Sequence, residues 1–309
     1  MRAAVLTAPG TLEVMDVPEP RGEVLVEVRA ATACGTDLKM LRHGHRVLGP
    51  YPARFGHEMA GVRLDTGDPV LVGDSAACGS CAPCLAGRAQ ICRDMTWILG
   101  GFAERIAAPE AALHTLPPGL DFAVAAVAEP LAACIHAVAR GTDAEDCAVL
   151  GGGTMGLMLA RLLVLEGRRV TLVDRHPERR AQATGLGAVA VERFDRAHAL
   201  VFEAVGRPQA WADAVGAAAP GGCVVLVGGC PSGTAAPLPT GPLHYEELDV
   251  RGAFHHDRLE VDRALWLLTR GQVDPRELLL PAIGLGELAA ALQAPGGGAA
   301  RKIVVDPSR

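Results

Sequence analysis

The chain has 309 residues, 50% hydrophobic, 21% charged and only 4% aromatic, which suits two domains with cores of their own and excludes a disordered chain. Its 29 basic and 35 acidic residues leave a net charge of −6, so no basic excess is available for a nucleic-acid partner. No apolar run is expected to reach the roughly eighteen residues a membrane span needs, and Met1-Arg2 leads into a strand-like run without a signal-peptide core, so a soluble, cytoplasmic protein without a membrane partner is expected.

Residues 1–130 read as β-rich. Short valine-rich runs at 3–6, 12–17 and 24–30 are separated by proline and glycine, and Val24, Val26 and Val28 alternate as in a half-buried strand. Further strands are expected at 70–72 and 103–107. Residues 73–101 read as a loop. The texture changes near Pro130, where a helix over 131–139 is followed by alternating strands and helices. Strands are predicted at 148–150, 170–173, 188–191, 199–202 and 224–227, with helices at 155–165, 178–184 and 211–219. Apolar strands alternating with helices predict a parallel sheet covered on both faces. Helices at 259–269 and 287–293 and a strand at 302–305 close the chain, with a short low-complexity loop over 294–300.

Three groups of residues carry chemistry. Val149-Leu150 leads into Gly151-Gly152-Gly153-Thr154-Met155-Gly156, a G-x-G-x-x-G turn between strand and helix. Its glycines permit the tight turn, let backbone approach a pyrophosphate and let the helix pack on the strand. Asp174 follows 18 residues after Gly156, at the end of the next strand. A carboxylate there suits ribose hydroxyls and repels a 2′-phosphate, although Arg175, Arg179 and Arg180 could hold one. The second group is Cys78, Cys81, Cys84 and Cys92, spaced C-x2-C-x2-C-x7-C. In a nine-cysteine chain without an export signal, such crowding favours a closed four-thiolate zinc site over disulfides. An iron–sulfur cluster is the rival. The third group is scattered: Cys34-Gly35-Thr36-Asp37, Gly56-His57-Glu58 and Glu129-Pro130. Together they offer thiolate, imidazole and carboxylate, the mixed set of a catalytic zinc with an open position. Cys134, Cys147, Cys223 and Cys230 stand in apolar contexts and read as structural.

These motifs, with Gly100-Gly101-Phe102-Ala103-Glu104 and Phe202-Glu203-Ala204-Val205-Gly206, resemble those of the zinc-dependent medium-chain dehydrogenases, in the sorbitol and threonine dehydrogenase branch. The resemblance covers essentially the whole chain. It implies an α/β protein, with a GroES-like β-barrel catalytic domain formed by residues 1–130 and 262–309. A Rossmann dinucleotide-binding domain, residues 131–261, is inserted between them, and the assembly implied is a homodimer or homotetramer. It implies two zinc ions per chain, one catalytic and one structural, and NAD in preference to NADP. The implied reaction is hydride transfer between NAD and a secondary alcohol or ketone. The polar residues Glu58, Lys39, His255 and His256 favour a polyol, sugar, cyclitol or amino alcohol.

By the same resemblance, Cys34 and His57 are ligands of the catalytic zinc, with Glu58 and Glu129 sharing the remaining coordination. Thr36 hands on the substrate proton and Asp37 orients His57. Gly151, Gly153, Thr154, Met155, Gly156, Asp174, Arg175, Arg179, Val205, Val227, Gly228 and Phe254 fall at cofactor-binding positions, and Lys302 near the pyrophosphate. Two departures stand out: Lys39 occupies the place of a relay histidine, and His255-His256 follow Phe254 where sorbitol dehydrogenases carry Arg-Tyr. Two alternatives remain open at this point: an NADP-dependent reductase of a conjugated alkene or imine with zinc only structural, and a catalytically inactive dinucleotide-binding protein.

Overall fold

A computed structural model describes residues 1–294 and 301–309, so the loop expected over 294–300 lies, apart from Ala294, outside the described residues. The chain divides into two compact units, Met1–Pro130 with Asp257–Arg309, and Leu131–His256.

In the first unit the valine-rich runs form antiparallel sheets. Val24–Thr32 pairs with Glu58–Arg63, which pairs with Pro69–Val72 and then Leu113–Thr115. On its other side Val24–Thr32 pairs with Arg105–Ala108 and with Val304–Val305 from the C-terminal tail. A second sheet joins Thr11–Asp16, Arg2–Ala8 and Ala53–Arg54. Leu6, Val26, Val28, Phe55, Met59, Val72 and Phe102 pack one core between them, with Phe55 and Phe102 edge-on at 4.9 Å. Three helices described here went unpredicted, Gly35–His43, the short Ala82–Leu85 within the expected loop, and Phe122–Ala126. The first has only Asp37, Met40 and Leu41 buried, too sparse an apolar stripe to stand out in sequence.

The second unit holds six parallel strands in the spatial order Val189–Val191, Arg169–Val173, Asp146–Leu150, His198–Glu203, Ala218–Leu226, Asp249–Gly252. That is the doubly wound order 3-2-1-4-5-6, whose reversal between the first and fourth strands opens a crevice at their carboxyl ends. The last strand was not predicted, because the polar edge sequence Asp249-Val250-Arg251-Gly252 lacks an apolar run.

One sequence expectation needs correction. Phe122–Ala139 is an 18-residue apolar helical stretch and does reach the length of a membrane span. About two thirds of it is buried and it contains Glu129, so it behaves as a core element.

Candidate functional site

The site in the first unit begins as a helix cap. Cys34 is the N-cap of Gly35–His43: its Sγ accepts from the Thr36 N–H at 3.2 Å, while Asp37 Oδ2 accepts from the Cys34 N–H at 2.8 Å. This reciprocal box uses the third helical residue, as capping boxes do. Asp37 is fully buried, and its second oxygen accepts from His57 Nδ1 at 3.2 Å. One carboxylate thus fixes the Cys34 backbone and the His57 ring together. It turns His57 Nε2 toward Cys34 Sγ, 3.3 Å away.

Glu58 and Glu129 are both buried, and one ligand atom from each of His57, Glu58 and Glu129 lies within 4.8 Å of the others. Sheet register explains why Glu58 points inward beside Thr32 and Lys302. Thr32 is the direct cross-strand neighbour of both Glu58 and Val304. The Ala33 N–H also bonds to the Ile303 carbonyl. Lys302 Nζ therefore reaches Glu58 Oε2 at 2.6 Å and Oε1 at 2.8 Å, and the Thr32 hydroxyl donates to the same carboxylate. Burial disfavours the Lys302 ammonium, but the adjacent Glu58 and Cys34 charges hold its pKa above the ordinary lysine value. Lys302, expected near a pyrophosphate, is thus seated on Glu58, a pairing that no local sequence signal announces. Lys39 lies half-buried in the Cys34-capped helix.

A divalent ion fits this geometry. Tetrahedral zinc with bonds of about 2.3 Å to sulfur and 2.05 Å to nitrogen separates the two donors by about 3.5 Å. The observed 3.3 Å between Cys34 Sγ and His57 Nε2 is close to that. Without an ion, burial pushes the Cys34 thiol up and His57 down, but Cys34 and Asp37 outweigh burial and raise His57 well above its usual value. That crowding of acid, thiol and imidazole suits a cation.

The four cysteines of the short lobe also converge. Their Sγ separations are 3.5 Å for Cys81–Cys84, 3.8 Å for Cys81–Cys92 and 3.5 Å for Cys78–Cys92. A tetrahedral Zn–S₄ centre has sulfur–sulfur edges of about 3.8 Å. Backbone N–H groups of Cys78, Cys81 and Arg93 donate to these sulfurs. Bonds from Ser80 and Cys81 bring the Cys78 thiol down to about 6, while burial and neighbouring thiols push Cys84 up to about 12. Of the remaining cysteines Cys134, Cys147 and Cys223 are buried, and Cys230 is half-buried.

In the second unit the glycine turn caps the first strand. Gly151 adopts φ +104°, and a Cβ on Gly156 would lie 1.7 Å from the Gly151 carbonyl oxygen, so both positions require glycine. Helix Thr154–Leu165 starts at Gly153 with no side-chain cap, and Thr154 Oγ1 is buried without a hydrogen-bond partner among the described residues. Donors left open at a helix start suit a pyrophosphate. The Met155 carbonyl receives the Cys134 thiol at 3.5 Å. Val205 packs over Gly151 and its N–H bonds to Glu203 Oε1 at 2.7 Å. The N–H groups of Val227 and Gly228 both bond to the Glu203 carbonyl at 2.9 Å. These loops meet at the carboxyl ends of the first, fourth and fifth strands, where the doubly wound order binds ligands.

Asp174 lies just beyond the second strand of this sheet, Arg169–Val173. Its Oδ2 accepts from the Gly152 N–H at 2.7 Å and from Arg179 Nη1 at 3.3 Å, and its Oδ1 accepts from the His176 N–H at 2.8 Å. Burial pushes its carboxyl up, but these N–H groups and Arg179 hold it below the ordinary aspartate value. Arg175 is exposed and turned to His176. Phe254, half exposed, and the adjacent rings of His255 and His256, 4.2 Å apart, follow the last strand. His255 adopts φ 62°, a left-handed conformation that costs a non-glycine residue energy.

Comparison with known proteins agrees with both halves. Residues 20–118 match the alcohol dehydrogenase GroES-like domain, and residues 153–270 match the zinc-binding dehydrogenase domain. The chain belongs to the zinc-binding medium-chain alcohol dehydrogenase family. Its architecture is accordingly a GroES-like domain plus a Rossmann domain. A sorbitol dehydrogenase of Bacillus subtilis is 28% identical over 95% of this chain and 93% of its own. A 2-dehydro-3-deoxy-L-galactonate 5-dehydrogenase of Pseudoalteromonas atlantica is 29% identical over 87% of each. The solved structure of a zinc-binding dehydrogenase from Sinorhizobium meliloti 1021, bound to NADP, superposes with TM-score 0.90 at 29% identity over 99% of both chains. Family membership carries the coarse activity, oxidoreduction of an alcohol CH–OH group with a nicotinamide dinucleotide.

Proposed function

We propose that this chain oxidises a polar secondary alcohol (a polyol, sugar, cyclitol or amino alcohol) with NAD, on a catalytic zinc held by Cys34, His57 and a carboxylate. A second, structural zinc would sit among Cys78, Cys81, Cys84 and Cys92. The observation that carries this reading is the Cys34–His57–Asp37 arrangement, whose donor spacing fits zinc and whose imidazole is already oriented from behind. The two named relatives act on a polyol and a sugar acid by their names, which supports a polar substrate.

When bound, the zinc would supply a Lewis acid that lowers the pKa of an alcohol, and NAD the hydride acceptor. The chain's own residues supply position and proton handling. Asp37 keeps the His57 Nδ1–H as donor and leaves Nε2 for the metal. Thr36, whose N–H bonds to Cys34 Sγ at the helix start, would take part in removing the alcohol proton. Lys302 and Thr32 engage the Glu58 carboxylate, which favours Glu129 as the acidic ligand. Open donors at Thr154 and its helix start would hold the pyrophosphate, and the ionised Asp174 would accept from ribose hydroxyls and oppose a 2′-phosphate.

The test combines metal content with turnover. Two zinc ions per chain and alcohol-dependent formation of reduced nicotinamide are expected. Cys34→Ser or His57→Ala should drop zinc from two to one and abolish turnover while dinucleotide binding remains. Full activity in either variant would refute the catalytic-zinc reading.

A further inference from the structure

We propose that Glu203 is a positioning residue for the nicotinamide half of the cofactor: its side chain and its backbone carbonyl clamp together the two loops on which that half would rest. The inference rests on the nicotinamide-dependent dehydrogenase reading above and adds one residue to it.

Glu203 is the last residue of strand His198–Glu203, with Leu150 opposite it on one side and Leu226 on the other. The Leu150 strand runs into the glycine turn, and the Leu226 strand into Val227-Gly228. Glu203 therefore stands where the strand order reverses. A doubly wound sheet consists of two mononucleotide-binding halves, and a dinucleotide crosses between them at that reversal. With the pyrophosphate on the glycine turn and the adenosine on the side of Asp174, the loops after Glu203 and Leu226 are left for the nicotinamide.

A carboxyl is costly here unless its oxygens are used, because Glu203 is fully buried. Its Oε1 accepts from the Val205 N–H at 2.7 Å and from the Gly206 N–H at 2.8 Å. Its carbonyl accepts from the Val227 and Gly228 N–H groups, both at 2.9 Å. One residue thus holds four backbone donors, two from each loop. The loops meet backbone to backbone. A Cβ on Gly206 would come within 2.8 Å of the Gly229 carbonyl oxygen, and one on Gly228 within 2.2 Å of the Gly206 nitrogen. The Trp211 indole N–H donates to the Gly228 carbonyl at 2.9 Å and ties the second loop to helix Pro208–Gly216. What the clamp places is Val205. Its side chain lies so close over Gly151, the first glycine of the turn, that a Cβ there would meet Val205 Cγ2 at 2.7 Å. Val205 is nonetheless exposed, as a residue awaiting a ligand would be.

Reach matters here more than charge. Burial pushes the Glu203 carboxyl up, while the Gly206 and Val205 N–H groups pull it down. Oε2 has no hydrogen-bond partner among the described residues, so a proton there breaks no contact. Acid, carboxylate and amide alike keep an acceptor at Oε1. A shorter side chain does not: Glu203→Asp draws the carboxylate back by about 1.5 Å, past hydrogen-bond reach of both N–H groups.

The experiment uses the full chain and NADH as probe, with binding read by nicotinamide fluorescence and fold stability by urea midpoint. Glu203→Gln should bind NADH within about 3-fold of wild type, and Glu203→Asp and Glu203→Ala about 10-fold or more weakly. With an oxidised alditol deuterated at its carbinol carbon, the Asp and Ala variants should lose about 10–100-fold in kcat at saturating NAD. Their kinetic isotope effect should rise, because a misplaced nicotinamide makes hydride transfer the slow step. A role in fold stability alone would lower the urea midpoint and leave affinity, kcat per folded molecule and isotope effect unchanged, which overturns the proposal. Should the Ala variant not fold, the Gln and Asp pair decides. Weak binding by Gln with wild-type binding by Asp would make the charge the active feature, and equal binding by the two would remove reach as the cause; either overturns the clamp. Absence of oxidation of polyols, sugars, cyclitols and amino alcohols by the wild type overturns the dehydrogenase reading instead, and NADH binding by the variants still decides the clamp.

Discussion

Replacing Lys302 with methionine should destabilise the first unit strongly, and restoring charge balance at Glu58 should repair much of the damage. Lys302 is 2% exposed and Glu58 1% exposed. Both carboxylate oxygens lie within 2.8 Å of the ammonium. Lys302→Met leaves the carboxylate buried with only the Thr32 hydroxyl, and breaking a buried pair by removing one partner costs about 3–5 kcal/mol. With a urea dependence of about 2 kcal/mol per molar, the unfolding midpoint should fall by about 1.5–2.5 M. Fluorescence of Trp97 and Trp266, both in that unit, follows the transition once Trp211 of the other unit is replaced by phenylalanine. The double variant Lys302→Met/Glu58→Gln should recover at least half the loss, because a neutral amide tolerates burial better than an isolated charge. A midpoint shift below about 0.3 M, or a double variant that is simply additive, would refute this account of the pair.

Three further outcomes are expected. Asp37→Asn keeps the shape but must place an amide between the Cys34 N–H and the His57 Nδ1, so one contact fails. Zinc affinity at that centre should drop about 10–100-fold, read by chelator competition, with the four-cysteine zinc unaffected; unchanged affinity would contradict the orienting role. Asp174→Ser should remove the charge that faces a 2′-phosphate while leaving Arg179, moving the NAD-to-NADP ratio of kcat/KM toward NADP by about 10-fold or more; a wild type that already prefers NADP would show Asp174 to be misread. His198 sets an acid sensitivity in the second unit. It is fully buried, Nδ1 meets Asp146 at 3.1 Å, and Nε2 has no partner among the described residues. Burial, then Arg196, push its pKa below 6.5, so below that pH the unfolded chain takes up a proton that the native one refuses. Stability should therefore fall as pH drops below 6.5, by at most about 1.4 kcal/mol per pH unit from this group. Urea midpoints of wild type and His198→Gln between pH 7.5 and 5.5 check it, and parallel curves would exclude His198 as the cause.

Much of the site is legible because its geometry is local. Cys34-Gly35-Thr36-Asp37 writes a capping box, and the same four residues bring a sulfur, a hydroxyl and a carboxylate to one helix start. The glycine turn is equally local, since Gly156 cannot carry a Cβ against the Gly151 carbonyl. Helix Gly35–His43 escaped detection because its chemistry uses cap residues and its apolar stripe is short. Asp249–Gly252 escaped because an edge strand needs no apolar run.

By itself, then, the sequence determined the two-part α/β architecture, the spacing of the four lobe cysteines and the identity of the residues able to face a metal. These follow from periodicity and from side chains a few positions apart. Only the tertiary structure decided what each carboxylate does. Asp37 and His57 stand 20 positions apart, and Lys302 and Glu58 stand 244 apart. The latter pair meets because Val304 and Glu58 both flank Thr32 across the sheet. Pairing at that separation is set by strand register and burial, and neither is written in the residues around Lys302.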